Sequence, residues 1–200
     1  VEYQDAWGTV WRRLRGYTSG EVLRPAIPDW DAWRSYQFPP RPSEEQFEQF
    51  AASVRERHPE QFVAAAGGGF FQLMSHMRGP ANFYMDIADD HPGAHELADR
   101  MVEHNLHQIE RYLAAGADCI RFGDDWGGQD RLLIHPDAWR RFFKPRYARM
   151  FAAARDAGAH VWFHTDGWIL EIIDDLIEIG VTLLNPQHDC MGAKNVGNMC

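Results

Sequence analysis

The sequence predicts an α/β fold, part of a (β/α)8 TIM-type barrel that carries an N-terminal hairpin and loop extension. Three observations point there. Three predicted helices end in a glycine that passes at once into a short apolar strand, at Gly116-Ala117, Gly158-Ala159 and Gly180-Val181. Each strand empties into a polar stretch: GDDWGG at 123–128, HTDG at 164–167 and NPQH at 185–188. The strands themselves are short apolar runs, the pattern of a parallel sheet covered by helices. Four strands are visible where a closed barrel needs eight, so the chain reads as a barrel truncated at both ends.

The elements follow in order. Residues 1–13 (VEYQDAWGTVWRR) read as strand, turn and strand, with Gly8 near the turn. Pro25, Pro28, Pro39, Pro40 and Pro42 then hold the chain extended and irregular. Residues 1–42 are therefore expected to form a hairpin and covering loop within the same domain as residues 43–200, the partial barrel. Ser43 and Gln46 form a capping box for a helix that carries Phe47, Phe50, Ala51 and Val54 and ends near His58-Pro59. Residues 61–66 are the first barrel strand, with Gly67-Gly68-Gly69 at its exit. Residues 70–78 are helical, and Pro80 opens a further helix. The period of Ala94, Leu97, Ala98, Met101, Val102, Leu106 and Ile109 marks a helix over 93–115. A strand over 117–122 follows, then a helix from Pro136 to Gly158 that Pro145 kinks or splits. Residues 160–164 are the central strand, 168–179 a helix, and 181–184 the last strand.

Composition narrows the function. Two hundred residues with 45% hydrophobic and 24% charged side chains suit one globular domain. A formal net charge of −9 argues against nucleic acid or an anionic membrane as partner and leaves a small-molecule substrate. Cys119, Cys190 and Cys200 are too few and too irregular for a disulfide framework, which fits a cytoplasmic protein. No apolar run approaches the roughly 18 residues of a membrane span.

In a barrel the site lies at the C-terminal ends of the strands. The stretch 158–167 (GAHVWFHTDG) alternates Val161 and Phe163 on one side with His160, Trp162 and His164 on the other. It delivers His164 and Asp166 to that end, as metal ligands, with His164 also a catalytic candidate. Asp166 would otherwise cap the helix after it. Asp124 and Asp125 are catalytic candidates, because adjacent carboxylates enclosed together raise one another's pKa. Gly68 permits close backbone approach to a ligand. Arg121 alternates with Ile120 and Phe122 and would point into the barrel, to bind an anion or to pair with a neighbouring Asp. Trp126 is placed to stack on a flat substrate. Asn185 and Gln187 offer amide groups at the last exit, where His188 is expected to be exposed.

Several blocks resemble the uroporphyrinogen decarboxylase superfamily: GADCIRFGDDWGGQDRLLIHPDAWRRFFKP at 116–145, FFQLMSHMRG at 70–79, VWFHTDG at 161–167 and IEIGVTLLNPQ at 177–187. The resemblance implies a (β/α)8 barrel and two chemistries, cofactor-free porphyrinogen decarboxylation and zinc-dependent methyl transfer to or from a corrinoid protein or thiol. His76 stands where the decarboxylases carry a substrate-contacting tyrosine, which makes it a substrate-binding candidate, and Asp125 stands where they carry a serine. His164 matches the first ligand of the methyltransferases' His-x-Cys-Gly motif, and Asp166 replaces its Cys. The expectation is therefore a metal-dependent methyltransferase with zinc on His164 and Asp166. The alternatives are conversion of uroporphyrinogen to coproporphyrinogen with no cofactor, and a non-catalytic ligand-binding barrel.

Overall fold

The computed structural model describes residues 1–15, 20–57 and 60–187. His58-Pro59, His188, Cys190 and Cys200 lie outside the described residues. In chain order the first elements are β1 (Glu2–Gln4), β2 (Val10–Arg12), β3 (Glu21–Arg24), α1 (Trp30–Trp33), α2 (Glu44–Arg57) and β4 (Ala64–Ala66). Next come α3 (Phe71–Arg78), α4 (Pro80–Ala88), α5 (Pro92–Ala114) and β5 (Cys119–Gly123). The last are α6 (Pro136–Phe142), α7 (Lys144–Asp156), β6 (His160–Thr165), a 3-10 turn (Leu170–Ile172), α8 (Ile173–Glu178) and β7 (Leu183–Pro186). They form two compact units: Val1–Arg41 with Phe70–Ala98, and Pro42–Gly69 with Asp99–Cys200. Phe70–Ala98, which the sequence reading assigns to the barrel, clusters with the first 41 residues.

In the first unit β1, β2 and β3 form an antiparallel sheet in that order. The β1–β2 turn is built on Asp5, whose carboxylate accepts from the backbone N–H of Trp7 and Thr9 and, at 2.7 Å, from Trp11 Nε1. β3 and α1 are corrections to the expected irregular stretch. Pro25 follows β3 directly, and Pro28 and Pro39 lie before and after α1, so the prolines stay outside both elements; Asp29 caps α1 by accepting from Ala32 N at 2.8 Å. Arg78 is buried here with its charge fully engaged. Nε donates to Asp86 at 2.8 Å, Nη1 donates to the carbonyl of Ile27, and the guanidinium lies 4.8 Å from the Trp30 ring centroid.

The second unit holds a parallel sheet in the order β4-β5-β6-β7, the succession of strands in a barrel wall. Register sorts its side chains into two faces. Ala65, Ile120, Phe122, Val161 and Phe163 are buried on the helix side. The opposite, open face carries one row of Ala66, Arg121, Trp162 and Leu183, and a higher row of Gly123, His164 and Asn185. The helix side is filled by aromatic residues of α6 and α7. Trp139, Phe142, Tyr147 and Phe151 are all fully buried, and Phe151 stands 4.9 Å from Phe122 and 6.0 Å from Phe163, centroid to centroid. Each such ring contributes roughly 2–3 kcal/mol by burial. This layer is what fixes the sheet, and therefore the strand ends.

Local signals account for most boundaries. Ser43 and Gln46 make the reciprocal capping box, at 2.8 and 3.3 Å. Phe143 separates α6 from α7, and Pro145 sits in the first turn of α7, where its missing N–H costs nothing. Four element starts move by two residues or more: β4 opens at Ala64 and β5 at Cys119, and the other two have a local cause. The helix expected at 168 begins as the 3-10 turn at Leu170, because Trp168 N is engaged by Gly128 O at 2.8 Å. The last strand begins two residues late, because Val181 N completes the end of α8 on Leu176 O.

Asp175 ties α8 to α6 and α7, accepting from Arg140 Nε at 2.9 Å and Lys144 Nζ at 2.7 Å. Burial acts to raise its carboxyl, but the hydrogen bonds and charges of Lys144 and Arg140 outweigh it and hold the group below the usual carboxylate range. A carboxyl depressed on folding stabilises above its unfolded pKa, and the contribution disappears as pH falls through the folded value. Asp175→Asn is expected to lower stability at pH 7 by on the order of 1–2 kcal/mol, since both cations are partly solvated. Urea unfolding at pH 7 and below about pH 4 should show the difference from wild type shrinking at the acid end.

Candidate metal centre

The loops leaving β5 and β6 are clasped along their backbones. Asp124 N donates to His164 O at 3.1 Å, Gly127 N to Asp166 O at 3.1 Å, and Trp168 N to Gly128 O at 2.8 Å. Trp126 N adds a bond to Thr165 Oγ1 at 3.3 Å. At the centre Gly127 and Gly167 pass backbone against backbone. A Cβ on Gly167, which has φ +81°, would lie 2.1 Å from Gly127 O, and one on Gly127 would lie 2.1 Å from Trp168 N. Only glycine fits either place.

The clasp gathers Asp125, His164 and Asp166, each half-buried, so that one ligand atom from each lies within 4.8 Å of the others. Asp125 Oδ1 accepts from Asp166 N at 3.0 Å, which ties its carboxylate to the cluster. His164 is oriented from behind. Its Nδ1 lies 3.0 Å from Asn185 O and 2.9 Å from Asn185 Oδ1. A backbone carbonyl can only accept, so Nδ1 carries a proton, and in the neutral form of the ring it is Nε2 that presents a lone pair. That lone pair faces Asp166 Oδ1 at 3.3 Å, a buried oxygen that accepts no hydrogen bond. Two lone pairs aimed at one point, with a second carboxylate beside them, suit a cation between them. One nitrogen and two oxygens form a donor set acceptable to zinc and to harder divalent ions.

The other expected site residues divide. Asn185 is at the cluster and meets His164 through both its side-chain oxygen and its backbone carbonyl, the second of which side-chain motifs do not reveal. Gln187 is exposed, and its backbone N donates to Thr165 O at 3.1 Å, extending the ladder. Asp124 is a correction. It is only 2% exposed and accepts from Tyr147 Oη of α7, so it is turned under the sheet, away from Asp125. The alternation along β5 dictates this, since Phe122 and Asp124 share the helix side. Trp126 is a second correction, being fully buried against Phe143, Tyr147 and Trp139 with no face left for a substrate. At Gly68, φ +91°, the close approach comes from the chain's own α5: a Cβ would lie 2.2 Å from Asn105 Oδ1, and Asn105 Nδ2 donates to Gly69 O. Asp166 does not cap the following helix, whose N-cap position is Ile169. His76 belongs to the first unit, edge-on to Trp11 at 4.7 Å, and burial pushes its pKa down against the opposing pull of Asp5. Arg121 lies on the open face with its guanidinium 5.6 Å from the Trp162 ring centroid. Among the described residues no helix is long and apolar enough to cross a membrane.

The family profile described as "Uroporphyrinogen decarboxylase (URO-D)" matches residues 19–199. A uroporphyrinogen decarboxylase of Geobacillus thermodenitrificans is 35% identical over 63 residues, 32% of this chain and 17% of that protein. One from Geobacillus kaustophilus gives the same identity and coverage. Among solved structures, a methyltransferase from Methanosarcina mazei superposes with a TM-score of 0.68 at 16% identity, covering 97% of this chain and 57% of that one. The chain therefore spans well under two thirds of these relatives, and the structural likeness establishes the partial (β/α) barrel fold alone.

Two substitutions test the centre. Gly167→Ala is expected to destabilise the protein by about 2 kcal/mol or more, through the strained φ and the collision with Gly127, read by thermal unfolding. Asp166→Asn should raise the melting temperature of metal-free protein, because it removes facing charge, and should abolish the rise that zinc produces in wild type. Zinc at 100-fold over its dissociation constant would stabilise wild type by about 2.7 kcal/mol.

Proposed function

The chain belongs to the uroporphyrinogen decarboxylase family, and from that premise we propose that it is a metal-dependent member of the methyl-transferring kind. The observation that carries this reading is the opposition of His164 Nε2 and the unpartnered Asp166 Oδ1, with Asp125 completing the set. Decarboxylation without a cofactor calls instead for several cations around a polycarboxylate. On the open face of the described strands Arg121 is the one arginine.

Zinc would be held by His164, Asp166 and Asp125. When bound it supplies a Lewis acid that polarises the methyl donor or activates the acceptor. The remaining work falls to the chain's own groups. Asn185 fixes the tautomer and the ring plane of His164, as second-shell partners of metal-bound histidines do. Asp125 takes the Asp166 N–H and so holds that loop in place. A carboxylate in place of a thiolate makes the donor set harder, which suits an oxygen or nitrogen atom bearing the methyl group better than a thiol. A corrinoid protein or a thiol is the proposed acceptor.

Purified protein is expected to contain close to one zinc per chain by elemental analysis, and to lose it, together with methyl transfer from a methoxy or methylamine donor, on chelation and in His164→Ala. Incubation with uroporphyrinogen should yield no coproporphyrinogen. Full-rate coproporphyrinogen formation by chelator-treated protein would establish the decarboxylase reading instead.

A further inference from the structure

The cluster occupies the upper row of the open sheet face. The row beneath it carries a group that the metal reading does not use. Arg121 and Trp162 are register partners on β5 and β6, two residues below Gly123 and His164. Two residues along a strand amount to roughly 6.6 Å. Arg121 is exposed, and no carboxylate among the described residues forms an ion pair with it; its guanidinium lies over the Trp162 ring, 5.6 Å from the ring centroid. The expected alternative, pairing with a neighbouring Asp, does not occur: Asp124 is turned to the helix side, and Asp125 engages Asp166.

An arginine stacked on an indole keeps its forked N–H donors directed outward in one plane, and that geometry matches a carboxylate. Ala66 and Leu183 flank the pair in the same row and bring no charge of their own. The face therefore offers a fixed cation on a largely apolar floor, one layer from three inward-aimed metal-ligand atoms. An anion at the upper row would meet two carboxylates, whereas at the lower row it meets Arg121.

We propose that Arg121, braced by Trp162, is the anchor for a carboxylate on the substrate, and that the site selects compact molecules carrying that carboxylate about one strand layer away from the atom that reacts at the cluster. The inference takes its reacting centre from the metal-site reading above, but the charge selection itself needs no metal. A methoxyaryl carboxylate has the required shape: a flat body, an anionic end, and a methoxy group at the far end. Trp162 then has two functions, to brace the guanidinium and to give the flat body an edge to lie against.

The test compares 4-methoxybenzoate with the uncharged 4-methoxybenzamide, by calorimetric titration of wild type, Arg121→Gln and Arg121→Lys, each assayed for zinc content. Wild type should bind the carboxylate at least about tenfold more tightly than the amide, a difference of one decade in dissociation constant. Arg121→Gln should erase that preference with zinc content unchanged, and Arg121→Lys should keep part of it, since charge survives without the planar fork. Equal affinities in wild type, no binding of either compound, or a preference that persists in Arg121→Gln would each overturn the proposal. Loss of the preference in a variant that has also lost its zinc or its unfolding transition would count against it as well, because Arg121 would then be a structural residue. A charge preference that holds in protein unable to take up zinc would sustain this anchor, and it is the failure to take up zinc that would remove the metal reading.

Discussion

The contact on which the site depends is the passage of Gly127 against Gly167. Hydrogen bonds can draw two loops together only as far as their side chains allow, and here neither loop has one at the crossing. The backbones therefore approach closely enough for Gly127 N to reach Asp166 O and for Trp168 N to reach Gly128 O. Asp125 and Asp166 come from loops 41 residues apart, and the crossing is what holds them side by side. It also explains the late start of the final helices, since Trp168 must serve the neighbouring loop before the chain can coil.

Beneath that crossing lies a division of labour set by alternation. Along β5, Ile120, Phe122 and Asp124 go to the helix side, and Arg121 and Gly123 to the open side. Along β6, Val161, Phe163 and Thr165 are buried while Trp162 and His164 face outward. A one-residue slip would exchange the two sets entirely. The aromatic packing of Phe151 on Phe122 and Phe163 makes such a slip costly, since aromatic pairs add about 0.5–1.5 kcal/mol each beyond their burial. Cys119 shows the same enclosure. Burial pushes its thiol pKa up, only partly offset by the hydrogen bond with the Trp162 backbone, so it is no competitor to the upper row as a ligand.

Much of this was legible in the residues. Helix–glycine–strand junctions located β5, β6 and the barrel-type order, because positive-φ glycines end helices for a local reason. His164 and Asp166 were legible as a pair at a strand end. What could not be read was orientation beyond a loop's first residue. Asp124 and Asp125 are chemically identical in the sequence; the β5 alternation carried past Gly123 puts Asp124 on the helix side, but its donor, Tyr147, sits on a helix more than 20 residues later and is visible only in the fold. Trp126 failed for the same reason: exposed and buried indoles look alike until the helix over them is placed. The role of Asn185 was half legible, because its amide suggested a contact while the carbonyl that fixes the tautomer belongs to every residue. The strand β3 was hidden by Pro25, which follows its last residue and so does not interrupt a short edge strand.

The bond from Tyr147 to Asp124 has a consequence for how the site can be altered. Adjacent aspartates in the motif answer to different masters, one to a buried phenol and the other to its partners across the loop. Replacing Asp125 or Asp166 alters the mouth and leaves the bond beneath it standing, whereas replacing Asp124 or Tyr147 removes a buried bond that ties the sheet to α7. The chemistry above and the scaffold below can therefore be perturbed separately, although the two aspartates are neighbours in the chain.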